Sequence, residues 1–177
     1  SKPYEQVVDD VKKMPGTSWF PGARLNFAEN LLKHRDSDQA AYIFHAENST
    51  TPTIVTYRQL AKEVGEVALA LRQSGVVPGD RVVGLMPNTP KATVAMLAAT
   101  SIGAVWASCS PDFGDKGVLD RFAQIEPKVL FTIDGYNYKG KRHSVLKRLP
   151  HLSESLGGEL TRVIVMPGYP TDPEVTD

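Results

Sequence analysis

The chain has 177 residues, of which 41% are apolar and 23% are charged, a balance typical of a folded globular protein with a substantial core. Its 20 lysines and arginines equal its 20 aspartates and glutamates, so the net charge gives no electrostatic argument for nucleic acid or an anionic membrane as a partner. The single cysteine, Cys109, excludes an internal disulfide and a multi-cysteine metal site, and it suits a reducing cytoplasm.

The first part of the chain is predicted to be a lead-in, residues 1–39, that is mainly helical and irregular. Leu25, Ala28 and Leu32 recur at helical spacing after a Pro-Gly turn. Two β-rich runs, 40–46 and 53–55, then flank a polar segment, which predicts a small hairpin.

A strong helix is predicted to begin after Thr56. Thr56 and Gln59 match a capping box, in which each side chain bonds the other residue's backbone N–H. Gly75 is suited to the position just past the end of this helix. The predicted buried stripe consists of Leu60, Val64, Val67, Ala68 and Leu71.

From there strands and helices alternate. Continuous apolar runs predict strands over 81–86, 104–109, 128–133 and 161–166. Three helices are predicted between these strands. The first begins with Thr89 as N-cap and Pro90 at the first helical position. The second has an apolar face made of Val118, Phe122 and Ile125, and the third covers residues 144–149.

This alternation predicts an α/β fold. Strands that are apolar throughout are typical of parallel sheets covered on both faces, so we expect an open, mostly parallel doubly wound sheet within an α/β subdomain, residues 40–166. The stretches of apolar residues are interrupted by Ser and Thr and predict no membrane-spanning helix. Residues 167–177 contain three prolines and no periodicity, and they are predicted to be a linker or a disordered tail.

Two polar loops follow predicted strands, at the edge where open parallel sheets bind ligands. The first, residues 110–117, precedes a helix N-terminus, which favours an anion. Its Ser110 and Asp112 equally suit a turn or a helix cap, and the residue types alone favour that structural role.

The second loop, residues 134–143, contains a near-match to a phosphate loop. Its pattern is G-x-x-x-x-G-K, but Arg142 stands where a Ser or Thr hydroxyl would hold magnesium, and two tyrosines are bulky for such a loop. The remaining feature is a basic cluster, which suits either a phosphate or a solvated turn. The cluster consists of Lys139, Lys141, Arg142 and His143.

Other motifs of catalysis are absent from the sequence. The four histidines stand in separate contexts with no ligand spacing, so no metal site is predicted, and no catalytic residue is assigned. Trp19 and Trp106 are predicted to be packing residues, and Cys109, at the end of a buried strand, is predicted to be inert.

Four stretches together carry a resemblance to a known family. The stretches are "WFPGARLNFAENLL", "GDRVVGLMPNTPKATVAMLAATSIGAVWASCSPDFG", "GVLDRFAQIEPKVLFTIDGY" and "YKGK". They resemble the N-terminal part of the adenylate-forming acyl-CoA synthetase superfamily, in its acetoacetate branch. The resemblance implies a ligase that uses acetoacetate, ATP and CoA, with magnesium, and forms an acyl-adenylate on the way to the thioester.

The same resemblance implies that this sequence is a fragment. The family's Ser/Thr/Gly-rich phosphate loop, its ribose-binding aspartate and the adenylation lysine of its C-terminal domain have no counterpart here. We therefore expect the fragment itself to be inactive and to bind none of these molecules tightly. We also expect that an exposed sheet edge allows self-association. The competing hypothesis is a stand-alone α/β binding or interaction domain without chemistry of its own.

The resemblance also implies part of a CoA site, in the two polar loops. The matching positions are Ser110, Pro111 and Asp112 in the first loop, and Lys139, Gly140 and Lys141 in the second. The family has glycines in the first loop, and an acidic residue beside a phosphate is unfavourable. Related enzymes often have arginine at the position of Tyr138. In this chain Lys139 and Lys141 are available to supply that positive charge.

Overall fold

A computed structural model describes residues 1–47 and 49–167 of the chain. The strands of this part are β1 (Ala40–Phe44), β2 (Thr53–Thr56), β3 (Arg81–Leu85), β4 (Val105–Cys109), β5 (Val129–Ile133), β6 (Gly135–Tyr138), β7 (Lys141–Ser144) and β8 (Arg162–Met166). Its α-helices are α1 (Phe27–Leu31), α2 (Tyr57–Gln73), α3 (Pro90–Ser101), α4 (Asp115–Phe122) and α5 (Leu149–Leu156). Short 3-10 turns cover Ala123–Ile125 and Leu146–Arg148.

The centre of the described part is a four-stranded sheet in the order β4-β3-β5-β8. All three pairings are parallel, which confirms the predicted sheet. From β3 the chain moves to β4 on one side and then crosses to β5 on the other. At the carboxyl edge of the sheet, the loops that follow β3 and β5 therefore run in opposite directions, and open α/β sheets bind ligands at such a point.

Both faces of the sheet are covered. Successive residues of a strand point to opposite faces, and Val82 and Val83 of β3 accordingly lie in two different hydrophobic clusters. The cluster around Val82 includes the buried stripes of α2 and α3, and the cluster around Val83 includes those of α4 and α5. This two-sided burial explains why the strands are apolar throughout, and it confirms the doubly wound arrangement.

The ends of α2 form as their residue types predict. The Thr56 side chain accepts a hydrogen bond from the Gln59 N–H at 3.2 Å, and the Gln59 Oε1 accepts one from the Thr56 N–H at 2.9 Å. Gly75 follows the C-cap with a φ of 79°, a value that glycine adopts without strain. The predicted hairpin is also present, because β1 and β2 pair antiparallel.

Less of the lead-in is helical than its spacing suggests. Within the described residues before β1, the helix is α1, five residues long, with Ala28 buried and Leu25 80% exposed. The chain before α1 doubles back on itself, since isolated bridges join Lys2 to Arg24 and Val8 to Trp19. Asn26 caps α1 through a 3.0 Å bond to the Glu29 N–H, so a local cap rather than a long apolar stripe defines this helix.

The segment after β5 differs from its prediction. Residues 134–143 were expected as a loop and 144–149 as a helix, but β6 and β7 form an antiparallel hairpin. The helical structure begins later, with a 3-10 turn at Leu146–Arg148 and then α5. The near-match to a phosphate loop therefore folds as strand, turn and strand, without the helix that such a loop requires.

The predicted tail, residues 167–177, lies outside the described residues from position 168 onward. Among the residues that are described, no helix has the length and apolar character needed to cross a membrane.

Candidate functional site

The first candidate segment, Ser110–Asp112, begins at the carboxyl end of β4 and forms a tight polar turn. The Ser110 hydroxyl donates to Asp112 Oδ2 at 2.8 Å, and the Asp112 N–H donates back to the Ser110 Oγ at 3.3 Å. Pro111 is buried and Asp112 is exposed. The turn-forming role that the residue types favoured is thus present, and it fixes the direction in which the Asp112 carboxylate points.

Arg148, which belongs to a later segment of the chain, donates hydrogen bonds to this loop. Its Nε donates to Asp115 Oδ1 at 2.6 Å, and its two terminal nitrogens donate to the Pro111 carbonyl at 2.8 Å and the Phe113 carbonyl at 2.6 Å. The arginine lies 33 to 37 residues further along the chain. Its residue type in a short basic stretch gave no sign of this role, so the prediction from sequence missed it.

The second candidate segment, Lys139–Lys141, is the tip of the β6–β7 hairpin. Lys139 and Gly140 have φ values of 52° and 71°, which is the pair of left-handed residues that a two-residue hairpin turn needs. All three residues of the segment are exposed. The Gly140 N–H donates to Glu47 Oε1 at 3.0 Å, so the tip is attached to the segment between β1 and β2.

The two candidate segments belong to one edge of the molecule, and Tyr136 connects them. Tyr136 lies on β6, three residues before Lys139. Burial, the largest cause, raises the pKa of its hydroxyl, and a hydrogen bond to Asp112 together with the negative charge of that carboxylate acts in the same direction, so that the pKa lies at about 12. The contact between loop and hairpin therefore runs through Tyr136 and Asp112, while Lys139 and Lys141 stand beyond it at the tip.

The hairpin packs closely at its base. A Cβ at Gly135 would lie 2.9 Å from the His143 carbonyl oxygen, so any larger residue would displace the partner strand. The Tyr136 and His143 rings stack, with centroids 5.3 Å apart and planes 24° apart. These contacts fix how the basic tip projects from the sheet.

A cavity of about 180 Å³ lies beside the hairpin, at the point where the loops after β3 and β5 part. Asn88 and Thr89 line it from the loop after β3, and Tyr136 and Asn137 line it from the hairpin. A larger groove of about 650 Å³ lies elsewhere, against α1 and α2, and both acidic and basic side chains line it. The polar groups around the smaller cavity belong to the same edge as the two candidate segments.

Neither a metal centre nor a reactive thiol accompanies this edge. Within residues 1–47 and 49–167, no three His, Cys, Asp or Glu side chains are grouped so as to hold a metal ion. Burial raises the pKa of the Cys109 thiol above its ordinary value, which disfavours the nucleophilic thiolate. The side chains that this edge presents are polar and basic ones, among them Asn88, Lys139 and Lys141.

Comparison with known proteins gives one consistent family. The model of the AMP-binding enzyme family matches residues 28–174. Acetoacetyl-CoA synthetase of Gallus gallus is 46% identical over 178 residues, which cover 100% of this chain and 26% of that protein. Acetoacetyl-coenzyme A synthetase of Rhizobium meliloti (strain 1021) is 46% identical over 153 residues, covering 86% of this chain and 23% of that protein.

A solved structure agrees with these sequence matches. Acetoacetyl-CoA synthetase from Streptomyces lividans superposes with a TM-score of 0.86 at 44% identity, and the match covers 98% of this chain and 27% of that one. This chain thus spans about a quarter of the length of the curated relatives it matches.

Proposed function

Because the chain belongs to the AMP-binding enzyme family, we propose that it is the N-terminal portion of an ATP-dependent acetoacetate–CoA ligase. The similarity to acetoacetyl-CoA synthetases along nearly the whole chain carries this proposal. A stand-alone binding domain is the competing hypothesis. It is disfavoured because nearly the whole chain matches proteins about four times its length.

The proposed reaction has two halves. A carboxylate oxygen of acetoacetate attacks the α-phosphorus of ATP and releases diphosphate, which leaves acetoacetyl-adenylate. The CoA sulfur then attacks the acyl carbon, its proton is lost to solvent or a base, and AMP leaves as the thioester forms. Adenylation is needed because a carboxylate oxygen is a poor leaving group, and magnesium offsets the charge of the phosphates in such transfers.

Within this scheme the residues of this chain contribute to CoA binding. Lys139 and Lys141 present two cations at an exposed tip, where a phosphate of the CoA nucleotide can approach without losing much hydration. The glycine between them leaves the turn open, since a Cβ at Gly140 would meet no atom within 4 Å. The Ser110–Asp112 turn and the hairpin stem form the adjoining wall.

Asp112, the acidic residue of the first loop, is less unfavourable for phosphate binding than its charge suggests. The Asp112 carboxylate accepts a hydrogen bond from the Ser110 hydroxyl and lies against Tyr136. Its negative charge is therefore directed to donors within the protein, at the base of the hairpin. This arrangement supports a phosphate site at the tip, with Asp112 serving the geometry of the edge.

The remainder of the proposed enzyme would supply the adenylation chemistry. The binding sites for ATP and magnesium, and the acyl pocket, would lie in the parts of the family's sequence that have no counterpart in this chain. We propose a cytoplasmic location, which suits the single buried cysteine. We also propose self-association of the isolated chain through the exposed edge strands β4 and β8, which sedimentation velocity would detect as species larger than a monomer.

The test of the ligase function compares the full-length protein with this chain. With acetoacetate, ATP, magnesium and CoA, we expect the full-length protein to form acetoacetyl-CoA and AMP in equal amounts, and we expect this chain to form neither. Acetate in place of acetoacetate is the control for the acid. A full-length protein that releases no AMP in the presence of acetoacetate would refute the proposal, and so would turnover by this chain alone.

A further inference from the structure

Arg148 occupies a position that the buried core fixes. It ends the 3-10 turn Leu146–Arg148, immediately before α5. The residue before that turn, Val145, is fully buried, and so is Leu152 in α5. The backbone on both sides of Arg148 is therefore anchored, and the side chain extends from a rigid base towards the loop after β4.

The three acceptors of Arg148 lie within one short segment. They are the Pro111 carbonyl, the Phe113 carbonyl and the Asp115 carboxylate, at distances between 2.6 and 2.8 Å. A planar guanidinium donates in several directions at once, whereas an ammonium on the same backbone would reach only part of this set. The side chain is 24% exposed, so these charge-assisted bonds are partly shielded from water.

The same residue is tied to the hairpin. Arg148 follows Ser144, the last residue of β7, by four positions, and Tyr136 of the same hairpin contacts Asp112 of the loop. The loop is thus held at two points by one segment, residues 135–148. This places Ser110–Asp112 at a fixed distance from the basic tip Lys139–Lys141.

We propose that Arg148 is a positioning residue for CoA, which holds the loop after β4 in the arrangement that the hairpin tip requires. The inference rests on the proposed function. Arg148 itself would contact no part of the substrate. Without it, two loop carbonyls and the Asp115 carboxylate lose their donor, so the loop occupies the binding-competent arrangement for a smaller fraction of the time. The apparent affinity for CoA falls by that fraction.

The experiment uses the full-length enzyme with Arg148→Gln and Arg148→Lys. We expect Arg148→Gln to raise KM for CoA about tenfold, as loss of charge-assisted hydrogen bonds would. KM for ATP and for acetoacetate should change by less than about twofold, since the adenylation groups lie elsewhere. Arg148→Lys should raise KM for CoA less than Arg148→Gln does, because it keeps the charge and part of the bonding.

Arg81→Gln is the matched control. Arg81 also bridges two backbone carbonyls, those of Ile125 at 2.7 Å and Glu126 at 2.8 Å, but it does so at the amino end of β3, the opposite edge of the sheet. We expect it to leave KM for CoA within about twofold of the parent, because its carbonyls belong to no loop at the carboxyl edge. Hydrogen exchange of residues 110–117 should quicken in Arg148→Gln and stay unchanged in Arg81→Gln.

The outcomes separate this inference from the proposed function. Faster exchange in 110–117 with an unchanged KM for CoA would overturn the positioning role, provided that Lys141→Ala still raises KM for CoA. If Lys141→Ala also leaves KM for CoA unchanged, the proposed CoA site and the role of Arg148 both fail. Should Arg148→Gln fold poorly, Arg148→Lys decides in its place: a selective rise in KM for CoA supports the inference, and unchanged kinetics overturn it.

Discussion

Trp106 and Gly84 show how single residues set the packing of the sheet. Trp106 stands on the edge strand β4 and reaches diagonally over β3, where a Cβ at Gly84 would lie 2.6 Å from two of its ring atoms. Its ring then meets Phe131 of β5, with centroids 6.2 Å apart. The glycine therefore makes room for an aromatic that links three strands, which agrees with the packing role that the sequence predicted for this tryptophan.

A pair of identical substitutions tests this packing. Gly84→Ala should lower the free energy of unfolding by about 1–3 kcal/mol, because the Trp106 ring must move to accommodate the methyl group. Gly65→Ala in the middle of α2 should raise the free energy of unfolding by about 0.5–1 kcal/mol, since its Cβ would meet no atom within 4 Å and alanine favours a helix. Urea denaturation of both variants measures the two signs; equal effects would contradict the packing argument.

At the scale of elements, the central observation is that the loop after β4 and the β6–β7 hairpin meet. The evidence is the environment of Tyr136, whose pKa is raised to about 12 by burial and by Asp112. Since the folded-state pKa lies above the unfolded value of about 10, the stability that the neutral hydroxyl contributes is present below pH 10 and is lost as the pH rises towards 12. A titration therefore reports directly on this contact.

Asp112→Asn is the variant that tests it. Removal of the carboxylate charge should lower the pKa of Tyr136 towards 10, because tyrosinate would no longer face an anion. Carbon-13 labelling of the tyrosine Cζ atoms and NMR titration from about pH 9 to about pH 13 would follow the change, because the Tyr136 pKa in the parent is about 12. Asp120→Asn, at an exposed position of α4, serves as the control and should leave the Tyr136 signal as it is in the parent. If Tyr136 titrates identically in both variants, the proposed contact between Asp112 of the loop and Tyr136 of the hairpin is contradicted.

The elements also show where prediction from sequence succeeds. The strands over 81–86 and 128–133 were predicted within one residue of their ends, because two-sided burial produces uninterrupted apolar runs. The hairpin was missed because its turn is Lys139–Gly140. A lysine at a φ of 52° carries none of the preference of Asn or Asp for that conformation, so the usual turn signature is absent.

At the scale of the whole molecule, the candidate site could be predicted only in part. Both candidate segments were found because they follow strands, and a parallel sheet brings the ends of its strands to one edge. The groups that hold them were not found. Arg148 reaches its acceptors across 33 to 37 residues, and Glu47 reaches Gly140 across 93, and no local pattern encodes such contacts.

The surface of the whole molecule agrees with the proposal of a larger enzyme. Several large apolar side chains are exposed before β1, among them Trp19 at 59% and Phe20 at 47%, and the edge strands expose Val105 and Val165. Where such exposed apolar side chains form contiguous patches, they mark contact surfaces. The chain accounts for about a quarter of its relatives' length, and in the proposed ligase the rest of the polypeptide would cover these side chains.

The most direct test of the central claim, that the carboxyl edge of this sheet binds CoA, is the kinetics of Lys141→Ala in the full-length enzyme. The account predicts that KM for CoA rises about fivefold, the contribution of one exposed charge pair, while KM for ATP stays within about twofold. Lys62→Ala, at a lysine of α2 whose side chain is 77% exposed, should change neither. An unchanged KM for CoA in Lys141→Ala, or an equal rise in KM for ATP, would contradict the account.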